Sequence, residues 1–213
     1  MNEMSPGELI PLFPLSLVLL PGMPLPLHIF EERYKEMISD VIRLDGEFGI
    51  VRVRDNGILN IGCTARVQRI LRRYPDGRLD LLASGQRRFQ IQSLDEEKSY
   101  LRGAVEFFDD EDTRETPPDL QHRAATAYHL LRTVEEGASL PQEPEFASNR
   151  VSFQLAQAME DLDKRQTVLA LRSEIQRLEY LVRVIPEYVA QRQHIEAAKR
   201  VAPLNGHVKG GLK

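Results

Sequence analysis

The sequence predicts an α+β fold, with a β-rich N-terminal part that contains one inserted helix and a helical C-terminal part that ends in a long helix. Short or alternating apolar runs bounded by turn residues dominate residues 9–107. Residues 109–119 (DDEDTRETPPD) are acidic and almost free of apolar side chains, as in a linker. Apolar residues at helical spacing follow. The predicted divisions are a β-rich domain over 1–108, a linker over 109–119, a helical subdomain over 120–202 and a flexible tail over 203–213.

The first β segment is interrupted by closely spaced prolines, five of them between residues 11 and 26. Proline cannot donate a ladder hydrogen bond and is confined to edges, bulges and strand ends. The segment therefore predicts two short strands, 9–13 and 17–20, joined by bends. From Phe30 the apolar spacing becomes helical, which predicts a helix over about 30–43.

The remaining strands follow from alternation and turn signals. Leu79, Leu81 and Ala83 alternate with polar neighbours, as in a half-buried strand. Pro75-Asp76-Gly77 predicts a hairpin turn, because proline presets φ and glycine accepts a positive φ. Ser84-Gly85 predicts a break between two strands. The predicted strands are 48–54, 61–73, 78–84, 87–94 and 100–107.

Two helices are predicted directly after the linker. The first covers 120–136, with Gly137 as its C-cap. Ser148 or Asn149 can cap the second. Its apolar stripe consists of Val151, Leu155, Ala158, Met159 and Leu162.

The last helix carries apolar residues at alternating spacings of three and four, which is the spacing of a heptad seam. The seam consists of Val168, Leu171, Ile175, Leu178, Val182, Ile185 and Val189, and Leu181, Tyr188 and Ile195 form a flanking column. Such a seam is typical of packing within a helical bundle, and a homodimer through this helix is the alternative. Pro186 predicts a kink or break near Ile185, because its ring clashes with the carbonyl four residues before it.

A series of motifs resembles the N-terminal substrate-binding domain of Lon proteases. The motifs are IPLFPL at 10–15, VLLPGMPLPLHIFEERY at 18–34, FGIV at 48–51, IGCTA at 61–65, PDGR at 75–78 and GQRRFQI at 85–91. They occur in the family's order, and the resemblance covers roughly residues 8–185. It implies a β-rich pseudobarrel similar to the PUA barrel, followed by helices, and a role in engaging unfolded or tagged polypeptides.

Composition and charge exclude several functional classes. The chain is 42% hydrophobic and 28% charged, which is ordinary for a soluble globular protein. Its net charge of −4 argues against a general nucleic-acid binder. No apolar run is long enough for a membrane span, and the acidic start does not resemble a signal peptide. One cysteine, Cys63, excludes an internal disulfide and predicts a reducing compartment, the cytoplasm.

Motifs for catalysis, metals and cofactors are absent from the sequence. The 213 residues contain no G-x-x-x-x-G-K-[ST] loop and no counterpart of the ATPase and Ser-Lys peptidase modules of Lon. We therefore expect neither ATP hydrolysis nor peptidase activity, and no cofactor. The five histidines form no H-E-x-x-H pattern, and no second cysteine accompanies Cys63, so no metal site is predicted. Cys63 is expected to be a small buried apolar residue.

The preferred interpretation is a non-enzymatic polypeptide-recognition module. Its expected partners are unfolded or tagged polypeptides and a protease or chaperone, without a membrane. Proline-containing strand edges offer a place for an added strand, and methionine adapts to variable partners. Met23 and Leu25 are predicted to form part of an exposed apolar patch, whereas Phe13, Leu17, Leu19 and Phe30 are assigned to the core. The candidate binding residues are Leu20, Met23, Leu25, His28 and Arg33.

The alternative interpretation is an RNA-associated protein, because PUA-like barrels also occur in RNA-modifying proteins. An arginine cluster offers phosphate contacts and comprises Arg66, Arg69, Arg72, Arg73, Arg78, Arg87 and Arg88. The negative net charge argues against this alternative. Imperfect alternation in 66–73 further predicts that these arginines do not share one face of the strand. A solvated surface is the simplest interpretation of the cluster.

Overall fold

The computed structural model describes residues 9–55, 57–134, 144 and 150–201, and the chain divides into two compact units. The first unit comprises Met1–Thr113 and Met159–Ser173, and the second comprises Arg114–Ala158 and Glu174–Lys213. In chain order the elements are β1 (Leu9–Leu15), β2 (Pro24–Ile29), α1 (Glu32–Arg43), β3 (Phe48–Arg54), β4 (Gly57–Ile58), β5 (Ile61–Arg73), β6 (Leu79–Asp95), β7 (Arg102–Phe108), α2 (Pro118–Leu131), α3 (Val151–Gln157), α4 (Leu162–Ala170) and α5 (Glu174–Val201).

Five strands of the first unit close into a barrel. They pair in the order β1-β7-β6-β5-β3, and parallel pairing of β3 with β1 completes the ring. Closure satisfies the edge groups that an open sheet would leave unpaired. The predicted α+β class, with a β-rich pseudobarrel and one inserted helix, is confirmed.

Apolar side chains fill the barrel and hold α1 against it. Leu12, Phe48 and Phe89 are completely buried among the strands. The buried side chains of α1 lie at helical spacing, and the ring of one of them, Tyr34, lies 4.1 Å from that of Phe13. The core assignment of Phe13 and Leu19 is confirmed, since they are 6% and 1% exposed.

Beyond the barrel, the N-terminal half of β6 and the C-terminal half of β5 continue as a ribbon, and β2 joins it along β6. The predicted strand at 17–20 is wrong, because residues 16–23 contain a bend and a turn but no strand, and the next strand begins at Pro24. The predicted break at 84–85 is also wrong, because β6 runs without interruption through both residues. Glycine is needed there for close packing rather than for a turn, since a Cβ on Gly85 would lie 2.1 Å from the carbonyl oxygen of Leu20.

The acidic segment 109–119 is a linker only in part. Arg88 donates hydrogen bonds to Asp110 Oδ1 (2.6 Å) and to the carbonyl oxygen of Leu171 (2.6 Å). The backbone N–H of Glu111 donates to the carbonyl oxygen of Arg172 (2.9 Å). The start of the segment is therefore fixed within the first unit. The predicted helical subdomain 120–202 is wrong in one respect, because 159–173, which contains α4, belongs to the first unit.

The single helix predicted after residue 148 is two helices in the structure. α3 ends at Gln157, and α4 begins after Asp161, whose carboxylate accepts hydrogen bonds from the N–H groups of Asp163 (3.0 Å) and Lys164 (2.9 Å). This N-cap satisfies helix donors that would otherwise be unpaired, and it separates the two helices. The predicted caps at Gly137, Ser148 and Asn149 and the predicted tail 203–213 lie outside the described residues.

The long helix packs within its own unit, as the preferred interpretation of its seam predicted. α5 contacts α2 and α3, and its buried apolar side chains are Leu178, Leu181, Ile185, Tyr188 and Val189. It begins at Glu174, so Val168 and Leu171 of the predicted seam lie outside it. A break at Pro186 is not observed, because the helix continues to Val201.

Candidate functional site

The ribbon formed by β2, β6 and β5 has two unlike faces. Its inner face consists of buried side chains of β2 and β6, namely Leu25, Ile29, Leu79, Leu81 and Ala83. The residues between them point the opposite way, because successive side chains of a strand alternate between faces. Pro24 pairs with Ser84, Pro26 with Leu82, and His28 with Asp80. We call the face that carries these six residues the outer face.

Three arginines of β5 also belong to the outer face. Arg66 lies opposite Ser84, Arg69 opposite Leu82 and Arg72 opposite Asp80, with register shifts between the successive pairs. Each shift adds one residue to β5, so a spacing of three along β5 matches a spacing of two along β6. The prediction that imperfect alternation scatters the arginines is therefore wrong for these three, which we call the arginine row. Arg73, in contrast, lies opposite Leu79 of the inner face.

Two rings contact a carboxylate at one end of the outer face, and a third ring stacks on one of them. His28 Nδ1 lies 2.5 Å from Asp80 Oδ1, and the hydroxyl of Tyr74 donates to Asp80 Oδ2 (2.8 Å). The ring of His28 stacks on that of Phe30, with centroids 5.9 Å apart, and meets the edge of Tyr74 at 6.0 Å. We call His28, Phe30 and Tyr74 the aromatic cluster. The hydrogen bonds from His28 and Tyr74 hold the pKa of Asp80 below its ordinary value.

Two arginine side chains lie against the ring of the aromatic cluster's tyrosine. The guanidinium carbon of Arg72 lies 4.6 Å from the ring centroid of Tyr74, and that of Arg78 lies 4.9 Å from it. Both distances fit a cation–π interaction, which keeps the two cations beside the rings. The arginine row and the aromatic cluster therefore form one continuous surface.

Phe30 is the most unexpected member of this surface. The sequence assigned it to the core, yet 58% of it is exposed. Phe30 directly follows the last residue of β2 and lies two residues after His28, so its side chain points to the same face as that of His28, the outer face. Leu71, which lies at the register shift between Ile70 and Arg72, is 53% exposed.

Two of the predicted binding residues are buried instead. Leu20 is fully buried, and Leu25 is 4% exposed on the inner face opposite Ala83. Met23 is half-buried; its N–H donates to the carbonyl of Leu20 (3.0 Å), and its own carbonyl accepts from the N–H of Gly85 (2.9 Å). The exposed patch predicted at Met23 and Leu25 is therefore wrong for Leu25, whose position on β2 directs it inward.

The other two predicted residues are exposed, in different settings. His28 belongs to the aromatic cluster, as described above. Arg33 lies on α1, where its guanidinium donates to Glu31 Oε2 (2.8 and 3.0 Å) and rests 4.5 Å from the ring centroid of Tyr34. The sequence did not identify Phe30, Tyr74 or Asp80 as site residues. The arginines at every third position of β5 are the sequence feature that could have indicated this surface.

The free edge of β2 does not suit an added strand. Among the described strands β2 pairs with β6 alone. Because Pro24 and Pro26 have no N–H, the ladder with β6 must use the donors of the alternate residues 25, 27 and 29. The opposite edge then carries carbonyls and only one donor, the N–H of His28. The expectation that a proline-containing edge accepts a peptide strand is wrong for this strand, because its prolines remove the required donors.

Cys63 has no features of a reactive thiol. It is completely buried in β5, and burial raises its pKa to about 12. Within the described ranges, no three His, Cys, Asp or Glu side chains are grouped closely enough to hold a metal ion. The same part of the chain contains no helix that is both long and apolar enough to cross a membrane.

A closed barrel with one inserted helix, followed by further helices, places the chain among the PUA-like pseudobarrels of the Lon N-terminal type. The family model of the ATP-dependent protease La (LON) substrate-binding domain matches residues 9–195, and the chain belongs to this family. The resemblance inferred from the sequence motifs is thus confirmed.

Relatives and solved structures agree with this assignment. The chain is 28% identical to the Lon protease of Parabacteroides distasonis over 139 residues, which is 61% of the chain and 16% of the relative. It is 22% identical to that of Cytophaga hutchinsonii, covering 84% of the chain and 24% of the relative. The crystal structure of a Lon N-terminal domain protein from Xanthomonas campestris is similar with a TM-score of 0.67 and 26% identity, covering 82% of this chain and 97% of that one. The chain thus spans a quarter or less of these curated relatives.

Proposed function

We propose that this chain is a non-enzymatic polypeptide-recognition module that binds unfolded or tagged polypeptides on the outer face of the ribbon. The observation that carries the proposal is the 58% exposure of Phe30 within the aromatic cluster. A large aromatic side chain gains free energy when a partner removes it from water. Membership in a family of substrate-binding domains supports a polypeptide as that partner.

The composition of the outer face suits an unfolded chain. Aromatic and arginine side chains dominate the binding energy of many protein interfaces. Here they stand beside Pro24 and Pro26, which limit the backbone freedom that β2 could lose on binding. Extended apolar segments are exposed in unfolded proteins and hidden in folded ones, so contact with Phe30 and Leu71 selects the unfolded form.

The proposal needs no catalytic group. The 213 residues contain no phosphate-binding loop, and the family match concerns a substrate-binding domain. A polypeptide held on this face would be passed to a partner, for which a protease or chaperone is the expected class. The cytoplasm remains the expected compartment, because the only cysteine is a buried thiol.

Binding of a reduced, denatured model protein tests the proposal against binding of its native form. Replacing Phe30 and Leu71 together by serine should weaken binding of the denatured form tenfold to a hundredfold, because two apolar contacts are worth about 1–3 kcal/mol. The melting temperature should stay near that of the unmodified chain, since both side chains are largely exposed.

A matched pair elsewhere in the first unit provides the control. Leu44 and Leu94 are 69% and 50% exposed, and replacing both by serine removes a similar apolar area away from the outer face. This control variant should bind normally. Equal loss in the two variants, or equal binding of native and denatured protein, would refute the proposal.

A homodimer through the C-terminal helix is a secondary part of the proposal. The flanking column of α5 is buried at Leu181 and Tyr188 but 40% exposed at Ile195. A second copy could cover the exposed end of this column. Sedimentation of an Ile195→Glu variant tests this, because a charge there should dissociate a dimer that uses this surface.

A further inference from the structure

We propose that the arginine row selects extended polypeptide segments with acidic residues at alternate positions, in the pattern acid-x-acid-x-acid. This inference rests on the proposed function and specifies the class of segment that the outer face takes. The three arginines are Arg66, Arg69 and Arg72.

The spacing of the row is the first argument. The arginines lie opposite Ser84, Leu82 and Asp80, which are alternate residues of the continuous strand β6. Alternate residues of a strand are about 6.7 Å apart. The side chains on one face of an extended polypeptide have the same spacing. Three alternate carboxylates can therefore reach three successive guanidinium groups without changing the backbone of either chain.

The second argument is that the arginine side chains of the row can bind an incoming carboxylate. Arg69 and Arg72 form no salt bridge within 4 Å with any of the described residues, and both side chains are exposed. Arg66 lies 3.1 Å from Asp45, whose own side chain is 93% exposed, so an incoming carboxylate can replace a weak surface pair. A guanidinium binds a carboxylate through two parallel N–H groups, and this geometry favours Glu and Asp over neutral residues.

The third argument is that neither edge of the ribbon is suited to pairing with an added strand. β2 lacks donors at its prolines, and the register shifts interrupt the outer edge of β5. Both features discourage backbone pairing with an added strand. A segment bound here must be recognised by side chains across the face, so the order of its own side chains decides the affinity.

The net charge of the chain favours a polypeptide over a nucleic acid. At −4 the chain repels polyanions over long distances, whereas a short segment with three acids interspersed with other residues is attracted locally by the row. Apolar residues at the intervening positions of such a segment, or beyond its acids, can contact the aromatic cluster.

Fluorescence anisotropy with three labelled peptides of equal length tests the inference. One carries three glutamates at alternate positions, one carries the same residues with the glutamates in a single block, and one has glutamine in place of glutamate. The alternating peptide should bind the full chain at least fivefold more tightly than the block peptide and tenfold more tightly than the glutamine peptide. Added salt should reduce the difference from the glutamine peptide.

Variants locate the effect on the row. Arg69→Gln with Arg72→Gln should abolish the preference for the alternating peptide. The control variant, Arg73→Gln with Arg132→Gln, removes the same charge from exposed arginines off the outer face and should retain the preference. Unchanged melting temperatures in both variants establish that folding is intact.

Three results would overturn the inference. The first is equal affinity for the alternating and block peptides, and the second is equal loss in the row and control variants. The third is binding of single-stranded RNA that is lost in the row variant while the peptides are unaffected, which would assign the row to nucleic acid. If denatured protein still binds through Phe30 and Leu71 in any of these cases, the proposed function stands and only the acidic specificity fails.

Discussion

The inner and outer faces of the ribbon are made by alternate residues of the same strands, and they differ in almost every property. Leu81 is completely buried, whereas its neighbours Asp80 and Leu82 point to the outer face. The inner face is buried, and the outer face combines an exposed phenylalanine ring with arginine side chains. A buried face and the proposed binding face are therefore separated by one residue along the chain rather than by distance in the fold.

The largest expected effect is on the inner face. Leu81→Ala should lower the free energy of unfolding by about 2–5 kcal/mol, because it leaves a cavity in a closely packed region. Leu82→Ala, one residue further, should cost less than about half of that, since Leu82 is only half-buried. Chemical denaturation of the two variants measures the difference. Equal losses would contradict the division between the faces.

A smaller effect is expected where the loop before β2 meets β6. Gly85→Ala places a Cβ 2.1 Å from the carbonyl oxygen of Leu20, so backbone must move. The expected cost is about 1–3 kcal/mol of unfolding free energy, as for other overpacked sites. Gly57→Ala is the control, because no atom lies within 4 Å of the added Cβ. A fully stable Gly85→Ala variant would show that this contact is not tight.

The strands β3, β5 and β6 and the turn between β5 and β6 were largely predictable from the sequence. The alternation in 79–83, the Pro75-Asp76-Gly77 turn and the motifs at 48–51 and 61–65 located strands that the structure contains. These signals are local, because each depends on residues within one strand or turn. The inserted helix α1 was predictable for the same reason, since its buried positions recur at helical spacing.

The outer face was poorly predictable, because it depends on pairing between distant segments. β2 was missed because prolines at 24 and 26 weaken any strand prediction, although they are tolerated at an unpaired edge. The register shifts that align Arg66, Arg69 and Arg72 arise only when β5 pairs with β6. Phe30 was placed in the core because its spacing also fits the start of α1. α4 belongs to the first unit through contacts between residues far apart in the sequence, and no local sequence pattern predicts such contacts.

The smallest expected effect is electrostatic and concerns the aromatic cluster. The pKa of Asp80 is lowered, so its contribution to stability is complete above the unfolded carboxyl pKa of about 3.9 and is lost as pH falls through the lower folded value. Asp80→Asn should therefore show a weaker decrease in melting temperature between neutral and strongly acidic pH than the unmodified chain.

Tyr74→Phe sharpens this prediction, because it removes one of the two hydrogen bonds to Asp80 and keeps the ring. The decrease of its melting temperature between neutral and strongly acidic pH should lie between the decreases of Asp80→Asn and of the unmodified chain. Identical acid profiles in all three proteins would show that the outer face contributes nothing to stability through this carboxylate.

We expect the outer face to be the surface that unfolded polypeptide contacts. Titration of the isotope-labelled chain with a denatured model protein, followed by amide and side-chain NMR resonances, tests it most directly. Chemical-shift changes should concentrate at His28, Phe30, Arg69, Arg72 and Tyr74, and the resonances of α5 should stay unchanged. Shifts concentrated on α5 or around Leu94, with the outer face unperturbed, would contradict it.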